Sequence, residues 1–161
     1  MRLLYDRYSG YVMAVALRYV PDRDDVQDVV QDSFVKIFTS LGKFAYRGEG
    51  ALKAWMGRIT ANQALDFLRK RNQISFSDQL PDLPDEPAPD IGGVSDEVLM
   101  QLIGKLPPGY RVVLNLFVFG QLSHKEIAGK LGIKENSSAS QYHHAKKMLG
   151  KMINDYIKRQ Q

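Results

Sequence analysis

The sequence of 161 residues contains no cysteine. That excludes disulfide scaffolds, thiolate zinc sites and cysteine nucleophiles, and it permits a reducing compartment. No apolar run approaches the roughly 20 residues that span a bilayer. The first residues, Met-Arg-Leu-Leu-Tyr-Asp-Arg-Tyr, carry charge too early for a secretory leader. The expectation is a soluble, cytoplasmic chain without membrane insertion. Alternating strand patterns and the Asn-Gly or Asp-Gly pairs of tight hairpins are missing as well. There are three histidines, but no His-Glu-x-x-His pattern, no phosphate-binding glycine loop and no serine elbow. No catalytic residue, metal or cofactor is therefore assigned. The carboxylates between Asp22 and Asp32 could in principle hold magnesium, but carboxylates four apart on a helix are more often solvated.

What the chain does have is uneven charge. The net charge is +4 over residues 1–72, −5 over residues 73–95, which hold no base, and +5 over residues 96–161. Two basic blocks flanking an acidic strip suit a polyanionic partner.

Helical periodicity is widespread. Residues 2–19 form a first helix, which Pro21 ends, and Asp22 caps a second over about 22–41. In it Val26, Val29, Val30, Phe34, Ile37 and Phe38 recur at three- and four-residue steps. Gly42, Gly48 and Gly50 bracket a loop, and a long helix runs to about Arg71. Residues 73–94 hold Pro81, Pro84, Pro87, Pro89, Gly92 and Gly93 among acids, which reads as a flexible linker too poor in apolar groups to pack. Ser95 caps a helix to about Lys105, and Pro107-Pro108 opens another to Gly120. The expected architecture is all-α: two small helical bundles, 1–72 and 95–161, joined by the linker 73–94.

The second bundle holds the most informative stretch. Ser123-His124-Lys125-Glu126 is a capping box, and Gly132 sits where a helix stops at positive φ. A second helix follows, polar at its start: Glu135-Asn-Ser-Ser-Ala-Ser-Gln-Tyr-His-His-Ala-Lys-Lys147. Helix, tight turn and polar helix make a helix-turn-helix, whose small hydroxyl, amide and imidazole groups can reach base edges while the lysines meet phosphates. An ordinary helical hairpin has the same pattern.

The first bundle offers three features. Acids in the first turn of its second helix satisfy the helix dipole, but Asp28 and Asp32, with Gln27 and Gln31, lie well inside it. They are either a solvated face or a docking face for a basic protein. The loop Phe44-Ala-Tyr-Arg-Gly-Glu-Gly50 offers Tyr46 and Arg47 to an unstacked base, unless the tyrosine folds back on the core. Arg58, Asn62, Asp66 and Arg69 line one side of the third helix, which ends Arg69-Lys-Arg71.

The order of these stretches resembles the extracytoplasmic-function (ECF) sigma factors of bacterial RNA polymerase. The resemblance rests on Leu-Tyr-Asp-Arg-Tyr at the start, Asp25-Val-Gln-Asp-Val-Val-Gln-Asp-Ser-Phe34, Ala54-Trp-Met-Gly-Arg-Ile-Thr-Ala-Asn-Gln-Ala-Leu-Asp-Phe-Leu-Arg-Lys-Arg71 and Leu106-Pro-Pro-Gly-Tyr-Arg-Val-Val-Leu114, followed by the helix-turn-helix. It implies that Asp25, Asp28, Gln31 and Asp32 dock on core RNA polymerase. It implies that Tyr46, Arg47, Arg58, Asn62 and Arg69 serve the minus-ten element of promoter DNA. It places Ala139, Ser140, Gln141, His143 and His144 at the minus-thirty-five element, with Ser137, Lys146 and Lys147 nearer its backbone. Ala139, Gln141 and His144 stand where the family often has cations, so the preferred promoter should differ. An anti-sigma partner is implied by the family alone. A DNA-binding regulator acting without polymerase would account for the helix-turn-helix but would leave the acidic helix idle.

Overall fold

The computed structural model describes residues 2–77 and 80–161; Met1, and Asp78 and Gln79 of the expected linker, lie outside the described residues. Among the described residues the ordered elements are all helical, and none is long and apolar enough to cross a membrane. The chain divides into two compact units, Met1–Gln73 and Ile74–Gln161.

The first unit packs three helices: α1 (Arg2–Tyr19), α2 (Arg23–Ser40) and α3 (Ala51–Lys70). Asp22 starts α2 as the sequence indicates, its carboxylate accepting from the backbone N–H groups of Asp24 at 3.0 Å and Asp25 at 2.9 Å. Val12, Val15 and Ala16 of α1, Val26, Val29 and Ile37 of α2, and Met56, Leu65 and Leu68 of α3 fill the core. Burying this apolar surface is what holds such short helices together. Two buried hydroxyls lie inside it without cost, because each donates to its own helix: Ser33 to the Val29 carbonyl at 2.7 Å, and Thr60 to that of Met56 at 2.8 Å.

The second unit packs α4 (Asp96–Gly104), α5 (Pro108–Val118), α6 (His124–Leu131) and the 25-residue α7 (Glu135–Arg159). The motif Leu106–Arg111 explains the corner between α4 and α5. Leu106 is buried, Pro107 ends one helix and Pro108 stands in the first turn of the next. Arg111 then reaches back, its guanidinium donating to the carbonyls of Leu106 at 3.0 Å and Gly104 at 3.4 Å. A cation on the open carbonyls of a helix end is favourable, even though burial pulls this guanidinium below the usual arginine range. At Ser123 both halves of the capping box form: Glu126 N–H donates to Ser123 Oγ at 3.1 Å, and Ser123 N–H to Glu126 Oε1 at 3.1 Å. Gly132 closes α6 at φ +69°.

Residues 74–77 and 80–94 depart from the linker expectation, because the structure places them in the second unit. Gln141 Nε2 donates to the Ser77 carbonyl at 3.0 Å, and Leu80 packs against the core formed by Ile103, Leu106, Tyr110, Leu114 and Ala145. Lys147 Nζ lies 2.6 Å from Asp85, and Asn154 Nδ2 donates to the Pro87 carbonyl at 3.1 Å. A segment needs few apolar groups to dock when its backbone carbonyls find donors. Gly109 makes room for it: a Cβ there would lie 2.5 Å from the Ser75 carbonyl oxygen.

The capping box has a measurable consequence. Ser123→Ala should lower the stability of the second unit by about 1 kcal/mol, read as an earlier thermal transition by far-ultraviolet circular dichroism. The same cap is acid-sensitive: the Ser123 hydrogen bonds hold the Glu126 carboxyl below its ordinary range. Its contribution is complete above that ordinary range and is lost as pH falls through the depressed value. An unchanged transition in the variant would show that the cap carries no stability.

Candidate functional site

Three surfaces hold the residues singled out by sequence. On α2, Asp28, Gln31 and Asp32 are exposed, whereas Asp25 is half-buried and 3.1 Å from Arg71. Arg71 also covers the Phe67 ring, 4.5 Å from its centroid. Asp25 therefore joins the start of α2 to the end of α3. Val35, one turn beyond Gln31 and Asp32, is 58% exposed although apolar. Sequence reasoning passed over it. The signal was its position off the Val26–Val30–Phe34–Ile37 stripe, where a valine has no core to enter.

In the loop before α3, Phe44 packs on Trp55, ring centroids 5.0 Å apart, and so pins the loop to the helix. Gly48 and Gly50 turn the chain at φ +110° and +80°, values that favour glycine. Between these fixed points Tyr46 is 75% exposed and Arg47 is exposed beside it. The tyrosine does not fold back on the core; the loop's phenylalanine does so instead. Arg58 and Asn62 are exposed one turn apart on α3. Arg69 is exposed further along, 3.8 Å from Asp66, a surface ion pair of the weakly held kind.

On the third surface, α5, α6 and α7 meet at His124. Its ring stacks on Phe117, centroids 4.6 Å apart and 11° from parallel, and its Nδ1 shares a 2.9 Å hydrogen bond with the buried Ser138 hydroxyl. His124 is thus the joint of the helix-turn-helix. Ala139, Ser140, His143 and Lys146 are exposed on α7, and Ser137, His144 and Lys147 are half-buried. His144 Nδ1 donates to the Ser140 carbonyl at 2.9 Å. A carbonyl only accepts, so Nδ1 carries the hydrogen and Nε2 is the acceptor of the neutral ring. Lys146 Nζ lies 5.4 Å from the Tyr142 ring centroid. Gln141 corrects the expectation: it is only 3% exposed. It lies three residues after Ser138 and four before Ala145, on the stripe that α7 turns inward, and it spends its amide on Ser77. Among the described residues no group of three or more His, Asp or Glu is placed to hold a metal ion.

Residues 4–74 match the family described as Sigma-70 region 2, and residues 96–149 the one described as Sigma-70, region 4. The chain belongs to the ECF sigma factors. It is 27% identical to the RNA polymerase sigma-H factor of Pseudomonas aeruginosa over 170 aligned positions, 97% of this chain and 87% of that one. It is 29% identical to the ECF RNA polymerase sigma-E factor of Haemophilus influenzae over 165, covering 94% and 86%. The fold is similar, at a TM-score of 0.58 and 21% identity over 95% of this chain and 96% of the other, to the sigma factor RpoE of Bartonella quintana, solved with the anti-sigma factor NepR. In this sigma factor residues 75–95 fall between the two family matches.

The His124 joint contributes to the stability of the second unit. His124→Ala removes a ring stack and a hydrogen bond, which together stabilise by about 2 kcal/mol. Chemical denaturation of the full chain should show that loss in the second unit, and a loss below a third of it would make the joint incidental.

Proposed function

We propose that this ECF sigma factor works in the cytoplasm by binding core RNA polymerase through the α2 face, with Asp28, Gln31 and Asp32 at its centre and Val35 at its edge. It then opens promoters by capturing an unstacked non-template base on Tyr46. Arg47, Arg58, Asn62 and Arg69 would hold the melting minus-ten strand. Ala139, Ser140, His143 and His144 would read the minus-thirty-five element, with Ser137, Lys146 and Lys147 on its phosphates. Core polymerase supplies all bond making, so the role of this chain is binding and not catalysis. An anti-sigma protein covering these faces is the expected inhibitory partner.

The observation that carries this reading is the exposure of Tyr46. A loop pinned by Phe44 holds a large ring in water, at a cost in apolar exposure that the fold itself does not recover. A stacked base recovers it. The acidic face supports the same reading, since Asp28 and Asp32 repel each other across one turn of helix and gain nothing from the dipole at that depth.

The deciding experiment adds the purified protein to core polymerase and maps transcription starts on genomic DNA; no new starts would reject the proposal. Replacing both Asp28→Lys and Asp32→Lys should weaken polymerase binding at least about ten-fold, as charge reversal at an interface does, with helix content preserved. Full binding by that variant would remove the docking role. Tyr46→Ala should slow promoter opening about ten-fold, the effect of losing one base–aromatic stack, while leaving duplex binding within two-fold or so of the parent. Equal losses in both assays would argue against base capture.

A further inference from the structure

We propose that the acidic segment 80–89 is a built-in competitor of DNA: it lies on the reading side of α7 and must leave before that helix enters a major groove. This rests on the assignment of α7 as the DNA-reading helix. The segment flanks that helix along its length. Leu80 and Asp82 line one groove with Ser137, Ser140 and His144. The stretch from Pro84 to Pro89 lines the next with His143, Lys146 and Lys147. Of the four positions expected to face bases, three lie along this path, and Ala139 does not.

Size makes the two occupants exclusive. A helix with its side chains is about 10–12 Å across, and the major groove is about 12 Å wide. The bare helix fills the groove, so a second chain laid along the helix leaves it no way in. Charge makes them alike. Asp82, Asp85 and Glu86 are the acids of the segment, which has no base. Asp85 pairs with Lys147, a lysine expected on a phosphate, and Glu86 Oε2 accepts from Asn154 at 3.3 Å. Asp85 thus holds a lysine that would otherwise meet a phosphate. Pro81, Pro84, Pro87 and Pro89 bar helix formation and restrict the undocked segment, so docking forfeits less freedom than it would for an ordinary loop.

The absence of native cysteine makes the test clean. Pro89→Cys combined with Gly150→Cys places two thiols where a Cβ on residue 150 would lie 3.7 Å from the Pro89 ring. Joining them, by oxidation or with a short bis-maleimide, fixes the segment on α7. The probe is a pool of duplexes with a randomised upstream element, selected with the full-length chain on core polymerase. The joined protein should bind the selected duplexes at least ten-fold more weakly than the same protein unjoined. Equal affinity, or thiols that never join, would overturn the proposal. If neither form selects any sequence, the reading of α7 as a DNA helix fails first, and the competitor falls with it. A second pair of variants guards against a cysteine variant that does not fold. Asp85→Asn with Glu86→Gln should tighten binding several-fold more than Asp96→Asn with Glu97→Gln, which changes net charge equally away from the segment. Equal tightening by both would show a general charge effect and no competition.

Discussion

The close approach of α7 to α5 is the contact on which the second unit depends. Ala145 is fully buried among Ile103, Leu106, Tyr110 and Leu114. A methyl group there lets two backbones come near enough for the larger side chains around it to interlock, and a bulkier residue would separate the helices. Once that line is fixed, every other position on α7 has its role set by angle alone. Ser138, Gln141, Met148 and Met152 turn in with Ala145. Ala139, His143, Lys146 and Asn154 turn out. At about 1.5 Å per residue the helix is roughly 37 Å long, more than the small bundle needs. The surplus gives one element both a core face and a long outward face on which a ligand or the chain's own segment can lie.

The first unit solves a different problem, keeping acid and base apart in three short helices. The dipoles sort part of the charge, with Asp24 and Asp25 at the start of α2 and Arg69 and Lys70 at the end of α3. The pair between Asp25 and Arg71 then ties those two ends together. Asp28 and Asp32 are left over from this arrangement. They neither cap, nor pair across one turn, nor approach the core, and so they are available to a cationic surface without any loss to the fold.

How much of this was legible depended on the range of the interaction. Caps, breaks and stops act over three or four residues, and Asp22, Pro108, the Ser123–Glu126 box and Gly132 stand where the sequence placed them. The stripes of α2 and α3 were legible for the same reason. Three things were hidden because they join distant residues. The pairing of Asp25 spans 46 positions. The inward turn of Gln141 was masked because its stripe begins with the polar pair Ser138 and Gln141, which binary patterning reads as surface. The docking of residues 74–77 and 80–94 was missed because counting apolar residues ignores backbone carbonyls, and those of Ser77 and Pro87 are what the donors on α7 engage. Whether Tyr46 folds back on the core was open by sequence; the ring stands exposed, and it is Phe44 of the same loop that reaches Trp55.

Salt should act unequally on the docked segment and on the DNA proposed to replace it, and the asymmetry follows from their form. The segment brings a few carboxylates, tethered and largely in water, so each contact is weak and screening removes only a modest attraction. Leu80 in the core and the carbonyl bonds from Gln141 and Asn154 are insensitive to salt. DNA brings a row of phosphates with condensed counterions, and its affinity falls steeply as salt rises, because binding must release them. Higher ionic strength therefore shifts the balance toward the covered helix. On the proposed reading of α7, a free chain at higher salt would keep that face covered from random DNA, whose binding is nearly all electrostatic. A promoter would add base contacts that salt does not screen, and only there would the duplex displace the segment.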